Sequence, residues 1–259
     1  MNDLPNDFEL LAQAIAPFWV AAALVFLRVG GMIALLPALG DMLLPLRVRL
    51  AVLVAMTIII APALAMQNAA VQNLDLQIEL LLFEPIIGLM LGFSLRLLIL
   101  ALQIAGSIAA QSISLSQLFS GTAAEPQPMI STLLVMAATA LFVMMGGLHH
   151  AVALVLHSYQ LIGPGSLPNA GEMALWAHRQ GSDMIAQGFV FASPFLLAGL
   201  LYNLALGVIN RAMPALMVMF IGAPALTWGG LILLALVAPL ILQQWQALLA
   251  QSLSQPLRQ

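Results

Sequence analysis

Long apolar runs separated by short polar breaks fill most of this chain. An α-helix needs about 20 mostly apolar residues to cross the hydrocarbon core of a bilayer. Runs of that kind lie near 10–27, 29–46, 50–66, 80–105, 129–156, 184–209 and 215–242. Several are interrupted. The second, "VGGMIALLPALGDMLLPL", is broken by Pro37, Asp41 and Pro45, which predicts two short helical pieces or a re-entrant hairpin. The fourth carries Glu84 and Arg96 inside it. The last begins at a break, "NRAMPALMVMFIGAPALT" (210–227), and predicts one kinked helix or two short ones. About six helices are expected on span length.

Two connections are long and polar. "GSIAAQSISLSQLFSGTAAEPQPM" (106–129) is small and hydroxyl-rich and ends in Glu-Pro-Gln-Pro. "HSYQLIGPGSLPNAGEMALWAHRQGSD" (157–183) holds a Gly-Pro-Gly turn and a short helix around "GEMALWAHRQ". No internal repeat or low-complexity tract is visible, so a single all-α integral membrane domain over 1–259 is the economical reading.

Composition agrees. The chain is 63% hydrophobic and 7% charged, with mean hydropathy +1.06, where a soluble domain is about a quarter charged. A net charge of -3 argues against nucleic acid, which needs clustered cations. All basic residues are Arg, so lysine chemistry is excluded, and with no Cys so are disulfides and thiolate sites. "MNDLPNDFEL" lacks the positive n-region of a cleaved signal, so the chain is expected to start here and stay in the membrane. Arg47, Arg49, Arg179, Arg211 and Arg258 are too few to orient it by the positive-inside rule.

Ionisable residues inside membrane helices are costly and are functional candidates by default. Glu84 and Arg96 are twelve positions apart, about 18 Å along a helix axis, so they cannot pair directly. Glu84 precedes Pro85 and reads as a helix start, where a carboxylate suits the dipole, or as a contact to a partner subunit. Arg28 either snorkels to an interface or pairs with an acid in a partner chain. Gly88 and Gly92 form a GxxxG that lets another helix approach. His149 and His150 lack the Glu and the four-residue spacing of a metalloprotease helix and read as a helix-end or interfacial pair. "LFSGT" lacks the flanking glycine and base of a hydrolase elbow. No catalytic, cofactor or metal site is expected.

Taken in order, these pieces resemble the FliR/SctT family of type III export-gate subunits. The likeness is clearest at Pro194, Leu200, Leu201, Asn203, Gly207, Arg211, Pro214, Phe220, Gly222 and Pro224. It continues upstream at Arg28, Pro37, Pro45, Arg47 and Arg49, at Glu84, Gly88 and Gly92, and in the Gly-x-His-His…Ser-Tyr…Pro-Gly run over 147–165. The family usually has Gln, Asn and an aromatic where this chain has Ala215, Met217 and Met219, and an acid where it has Ser107.

The resemblance implies a non-enzymatic subunit of the flagellar export gate in the bacterial inner membrane, within the basal body. Helical hairpins would form a FliP-like part joined to a FliQ-like part. Homologues of FliP and FliQ would be its neighbours in a helical complex, FlhA and FlhB homologues further partners, and unfolded flagellar proteins its cargo, with lipid around it. It also implies a channel plug at 106–125, with Gly106, Ser107, Gln111, Ser112, Ser114, Ser116, Gln117, Leu118, Phe119 and Gly121 as its residues and Gly106, Gly121 and Pro126 as hinges. The break with Asn210, Arg211, Pro214, Met217, Met219, Phe220, Gly222 and Pro224 would set a fixed angle and meet neighbouring subunits. The injectisome counterpart is the close alternative. A small secondary transporter with a Glu/Arg/His relay is the distant one, and it wants midplane charge pairs and two related halves.

Overall fold

The computed structural model describes residues 4–40, 44–67, 78–118, 129–212 and 218–254. Every regular element among them is an α-helix: α1 (Leu4–Leu35), α2 (Leu46–Gln67), α3 (Ile78–Leu118), α4 (Met129–Met144), α5 (Gly147–Leu161), α6 (Ala170–Ala212) and α7 (Val218–Ser254). Five of them are long and apolar enough to cross a membrane, or six if α4 and α5, bent by 72° at their junction, count as one span. The chain is thus an all-α integral membrane protein. It divides into two compact units, one from 1–96, 142–177 and 251–259, the other from 97–141 and 178–250. Each passage between them falls inside a helix: α3, α4, α6 or α7.

In the first unit α1 and α2 form a hairpin, and α2 also meets α5. Helix α1 stops just before Pro37, which cannot continue a hydrogen-bonded turn. Ala38 then takes a left-handed conformation (φ 70°), and the Gly40 amide closes the turn on the Leu36 carbonyl at 2.7 Å. The sharpest packing is between α1 and α3. A methyl group at Gly88 would overlap the Arg28 carbonyl, and one at Gly31 would overlap the Pro85 carbonyl. Gly92 lies as tightly against Met32. Contacts advance together along both helices, so α1 and α3 cross backbone to backbone in the same sense. Small residues are what such a crossing demands in lipid, where dispersion replaces the hydrophobic effect as the force between helices.

The second unit repeats that logic with other residues. Gly106 of α3 lies against the Ser131 backbone of α4, Gly188 of α6 against Ile104, and Gly199 against Ser112. Trp245 of α7 is fully buried and donates its indole N–H to the Leu98 carbonyl at 3.1 Å. Tyr202 of α6 donates its hydroxyl to the Gly222 carbonyl, tying α6 to the start of α7.

Several expectations need correcting. The run over 29–46 is no hairpin of short pieces, because α1 continues through Gly30 and Gly31 to Leu35. Pro85 does not start a helix but lies within α3, so Glu84 is well inside it. The polar stretch from Gly106 is not a loop as far as Leu118, where α3 ends. Gly106 lies against the Ser131 backbone, and Ser112 is buried and returns its hydroxyl to the Ile108 carbonyl at 2.8 Å, as serines inside helices do. The short helix near 171–180 is the first part of the 43-residue α6. Pro224 does not break α7, which runs from Val218 through "IGAP" to Ser254.

The α1–α3 crossing makes a direct prediction. Gly88→Ala should lower thermal stability of the detergent-solubilised protein markedly, since backbone must shift to admit the methyl. Gly207→Ala on α6, where nothing lies within 4 Å, should leave it unchanged or slightly raised. Equal melting points for the two variants would refute the close crossing.

Candidate functional site

The α1–α3 crossing brings two charges together. Arg28 and Glu84 are each 0% exposed. Glu84 sits one turn before Gly88, and the Gly88 backbone lies against Arg28, so the crossing itself sets the two side chains side by side. The Arg28 Nε donates to Glu84 Oε2 at 2.7 Å and Nη2 to Oε1 at 3.2 Å. This is the bidentate geometry that a guanidinium provides and an ammonium does not.

The rest of the cluster comes from α5 and the turn behind it. Tyr159 donates its hydroxyl to Glu84 Oε2 at 3.1 Å, and the Gly165 amide donates to Oε1 at 3.0 Å. Gly165 has φ 74°, a conformation that glycine adopts without strain and that forms part of the turn presenting its N–H to the carboxylate. Arg28 Nη1 donates to Ser158 Oγ at 3.0 Å, and the guanidinium also reaches the Ile162 carbonyl at 3.4–3.5 Å. Its Cζ lies 3.5 Å over the Tyr159 ring, a cation–π contact strengthened by desolvation. Four donors therefore fill the acceptor positions of Glu84. The site pairs one cation with one carboxylate, both shut away from bulk solvent. Its chemistry is that of a clamp joining α1, α3, α5 and the 162–165 turn, with no open position for a substrate or a travelling proton.

The sequence-predicted residues fall out as follows. Arg28, Glu84, Gly88 and Gly92 come together at this one place. Arg28 pairs within its own chain, so the partner-chain acid envisaged for it is not needed, and its head is buried rather than at an interface. Arg96 is half-buried, three turns further along α3. Gly106 and Ser112 are buried, Ser107 is half-buried and Gln111 exposed; Ser114, Ser116, Gln117 and Leu118 also lie on α3. Phe119, Gly121 and Pro126 lie outside the described residues. At the break, Asn210 and Arg211 are exposed, with Arg211 in the last turn of α6 where a cation suits the carbonyl end of the dipole. Pro214, Ala215 and Met217 lie outside the described residues, and Met219, Phe220 and Pro224 fall in α7. Gly222 is buried, its Cβ position 3.0 Å from the Tyr202 hydroxyl. His149 and His150 occupy the first turn of α5 and are exposed, with His150 Nδ1 3.1 Å from the Gly146 carbonyl.

Sequence reasoning gave no role to Ser158, Tyr159 or Gly165. The available signal was a Ser-Tyr pair and a Gly-Pro-Gly turn closing an apolar helix, polar groups with no stated partner.

Removing one partner of a buried pair strands the other, at a cost of about 3–5 kcal/mol. Arg28→Met and Glu84→Met should each destabilise the protein by that order, and the double variant should recover much of the loss. Thermal unfolding of the three proteins in detergent checks this; strictly additive losses would mean that the pair is not coupled.

Residues 19–252 match the family described as "Bacterial export proteins, family 1". The chain is 32% identical over 228 residues to the flagellar biosynthetic protein FliR of Caulobacter vibrioides, covering 86% of this chain and 90% of that one. It is 29% identical over 220 residues to the protein of the same name from Escherichia coli, with 83% of each covered. Over 224 residues it is 25% identical to the secretion system apparatus protein SsaT of Salmonella typhimurium, covering 83% and 85%. The family match spans the charge cluster, the glycine crossing and the break after α6, and on that extent the chain belongs to family 1 of the bacterial export proteins.

Proposed function

We propose that this chain is a non-enzymatic subunit of a type III protein export gate, acting as one domain over 1–259 in the bacterial inner membrane. The observation that carries the reading is the match, over more than four-fifths of the chain, to proteins named for flagellar biosynthesis and for a secretion system. A flagellar setting is favoured because the flagellar relatives reach 32% and 29% identity and the secretion-system relative 25%. Homologues of FliP and FliQ are the neighbours in the gate, FlhA and FlhB homologues the further contacts, and unfolded export substrates the cargo.

Physical features support this over a transporter. A relay carboxylate must exchange its proton, whereas Glu84 is saturated by donors and shut away from solvent. In the second unit, by contrast, α6 carries a continuous exposed apolar face at Leu197, Leu200, Leu201, Leu204 and Val208. Only 22% of the α6 span and 17% of the α7 span are buried within the chain. Faces of that size call for lipid or for other subunits. Arg211 lies in the last turn of α6, beyond that face, suited to a neighbour's contact.

Purification of the tagged native protein in mild detergent, with mass measurement, tests the proposal. A large complex with two other small hydrophobic proteins in excess is expected, and a stable lone monomer would overturn it. Within such a complex, Arg211→Ala or Pro214→Ala should reduce the co-purifying partners; an unchanged complex would remove the break from the assembly surface. The channel plug is proposed over 106–125, of which 106–118 belongs to α3. Shortening the segment between Leu118 and Met129 should make membranes leak ions while the complex still assembles. An assembled gate with no leak would leave that segment a plain connector.

A further inference from the structure

Between α6 and α7 of the second unit lies a cavity of about 220 Å³. Small residues line it from both sides: Ala198 and Gly199 of α6, and Ala225, Gly229 and Gly230 of α7. Elsewhere in the chain, glycines of apolar helices serve contact. Methyl groups at Gly31, Gly88, Gly92, Gly106 and Gly188 would each overlap a neighbouring helix. A methyl at Gly229 would meet nothing within 4 Å. Glycine weakens a helix interior, and the close contact that compensates for it at the other positions is not made at this one.

Helix α7 is held on either side of those glycines. Near its start, the Gly222 carbonyl accepts the Tyr202 hydroxyl and the Gly222 backbone lies against Leu206. Further on, the fully buried Trp245 donates to the Leu98 carbonyl of α3. The two pins are 23 positions apart, about 35 Å of helix. Between them Leu226, Gly230, Leu234 and Ile241 are buried, while Trp228, Leu231, Ile232, Leu236 and Leu240 are exposed. The stretch therefore touches its own chain along one narrow line, and the glycine pair stands on it. Paired small residues are among the places where helices bend sharply. A bend there would draw the cavity wall toward α6 while each pin, a single hydrogen bond, only pivots.

Closure has a driving force. An open apolar gap forgoes the dispersion contacts that its lining atoms would make with a partner, and small residues let two backbones approach closely enough to regain them. The α1–α3 crossing shows the closed form of such a contact, and the α6–α7 gap its open form. We propose that α7 is a hinged strap, pinned at Gly222 and Trp245, that bends at Gly229–Gly230 to close the cavity against α6. The movement lies within the second unit and leaves the charge cluster of the first untouched.

The chain has no Cys, so Ala198→Cys and Leu233→Cys place two unique spin labels on the α6 and α7 walls of the cavity. The full-length protein, with whatever subunits accompany it, is reconstituted in lipid nanodiscs, and label-to-label distances are read by pulsed electron resonance. Two populations are expected, one at the separation of this structure and one shorter. Gly229→Ala should remove the shorter one, and so should Ala225→Leu, which fills the gap. Gly207→Ala, an equally open site on α6, should leave both populations in place. A single distance in the labelled protein without further change would overturn the proposal, as a gap held permanently open by lipid or by a partner would give. So would a shorter population that survives both Gly229→Ala and Ala225→Leu, or one that Gly207→Ala also removes. The distance is read within one chain, so the outcome does not depend on whether that chain serves an export gate.

Discussion

Two opposite charges placed where neither can reach water set the terms for the first unit. Arg28 and Glu84 are tolerable in an apolar interior only together and only with their remaining hydrogen-bonding positions filled. That requirement dictates what lies nearby. The α1 and α3 backbones must come close enough for a bidentate pair, which the glycines at 31, 88 and 92 permit. Tyr159 and Ser158 must face inward from α5, and the turn after α5 must point an amide at the carboxylate. The cluster therefore specifies one arrangement of three helices and a turn. A different register of α1 on α3 would strand both charges.

Close packing by small residues is the second unit's counterpart. Gly106, Gly188 and Gly199 each bring a backbone or a short side chain against the next helix, and indole and phenol hydrogen bonds pin α7 to α3 and α6. Nothing in this unit resembles the charge clamp among the described residues, and its α6 and α7 leave broad apolar faces open. The contrast is physical: one unit is held by a buried charge cluster, the other by small-residue contacts and two polar hydrogen bonds.

Much of this was legible in the sequence, within limits that periodicity sets. Apolar run length located the spans, and the rarity of charge made Arg28, Glu84 and Arg96 stand out. The GxxxG at Gly88 announced a close crossing. What local pattern could not supply was the identity of the partners. Arg28 and Glu84 are 56 positions apart, and Ser158 is 130 from Arg28, so their meeting depends on tertiary packing. Prolines misled for a related reason. Pro85 and Pro224 both lie inside helices, because neighbouring helices in a membrane protein can absorb the lost backbone bond. Serines misled too: between Gly106 and Leu118 they look like loop composition, yet in an apolar setting a hydroxyl can bond its own helix and the small side chain admits a neighbour.

The clamp also constrains how any gate built from this chain could open. Sliding α1 along α3, or pulling α5 away from both, would separate buried charges, whose isolation costs about 3–5 kcal/mol. Subunits of an export gate must rearrange to pass a chain, yet a movement that opened this cluster would have to recover that energy elsewhere. Opening that leaves the α1–α3–α5 joint intact avoids the cost altogether. The motion then falls to elements not tied to the cluster. Among the described residues, those include the open apolar faces of α6 and α7. A buried charge pair of this kind therefore favours gate movements that leave the α1–α3–α5 joint whole.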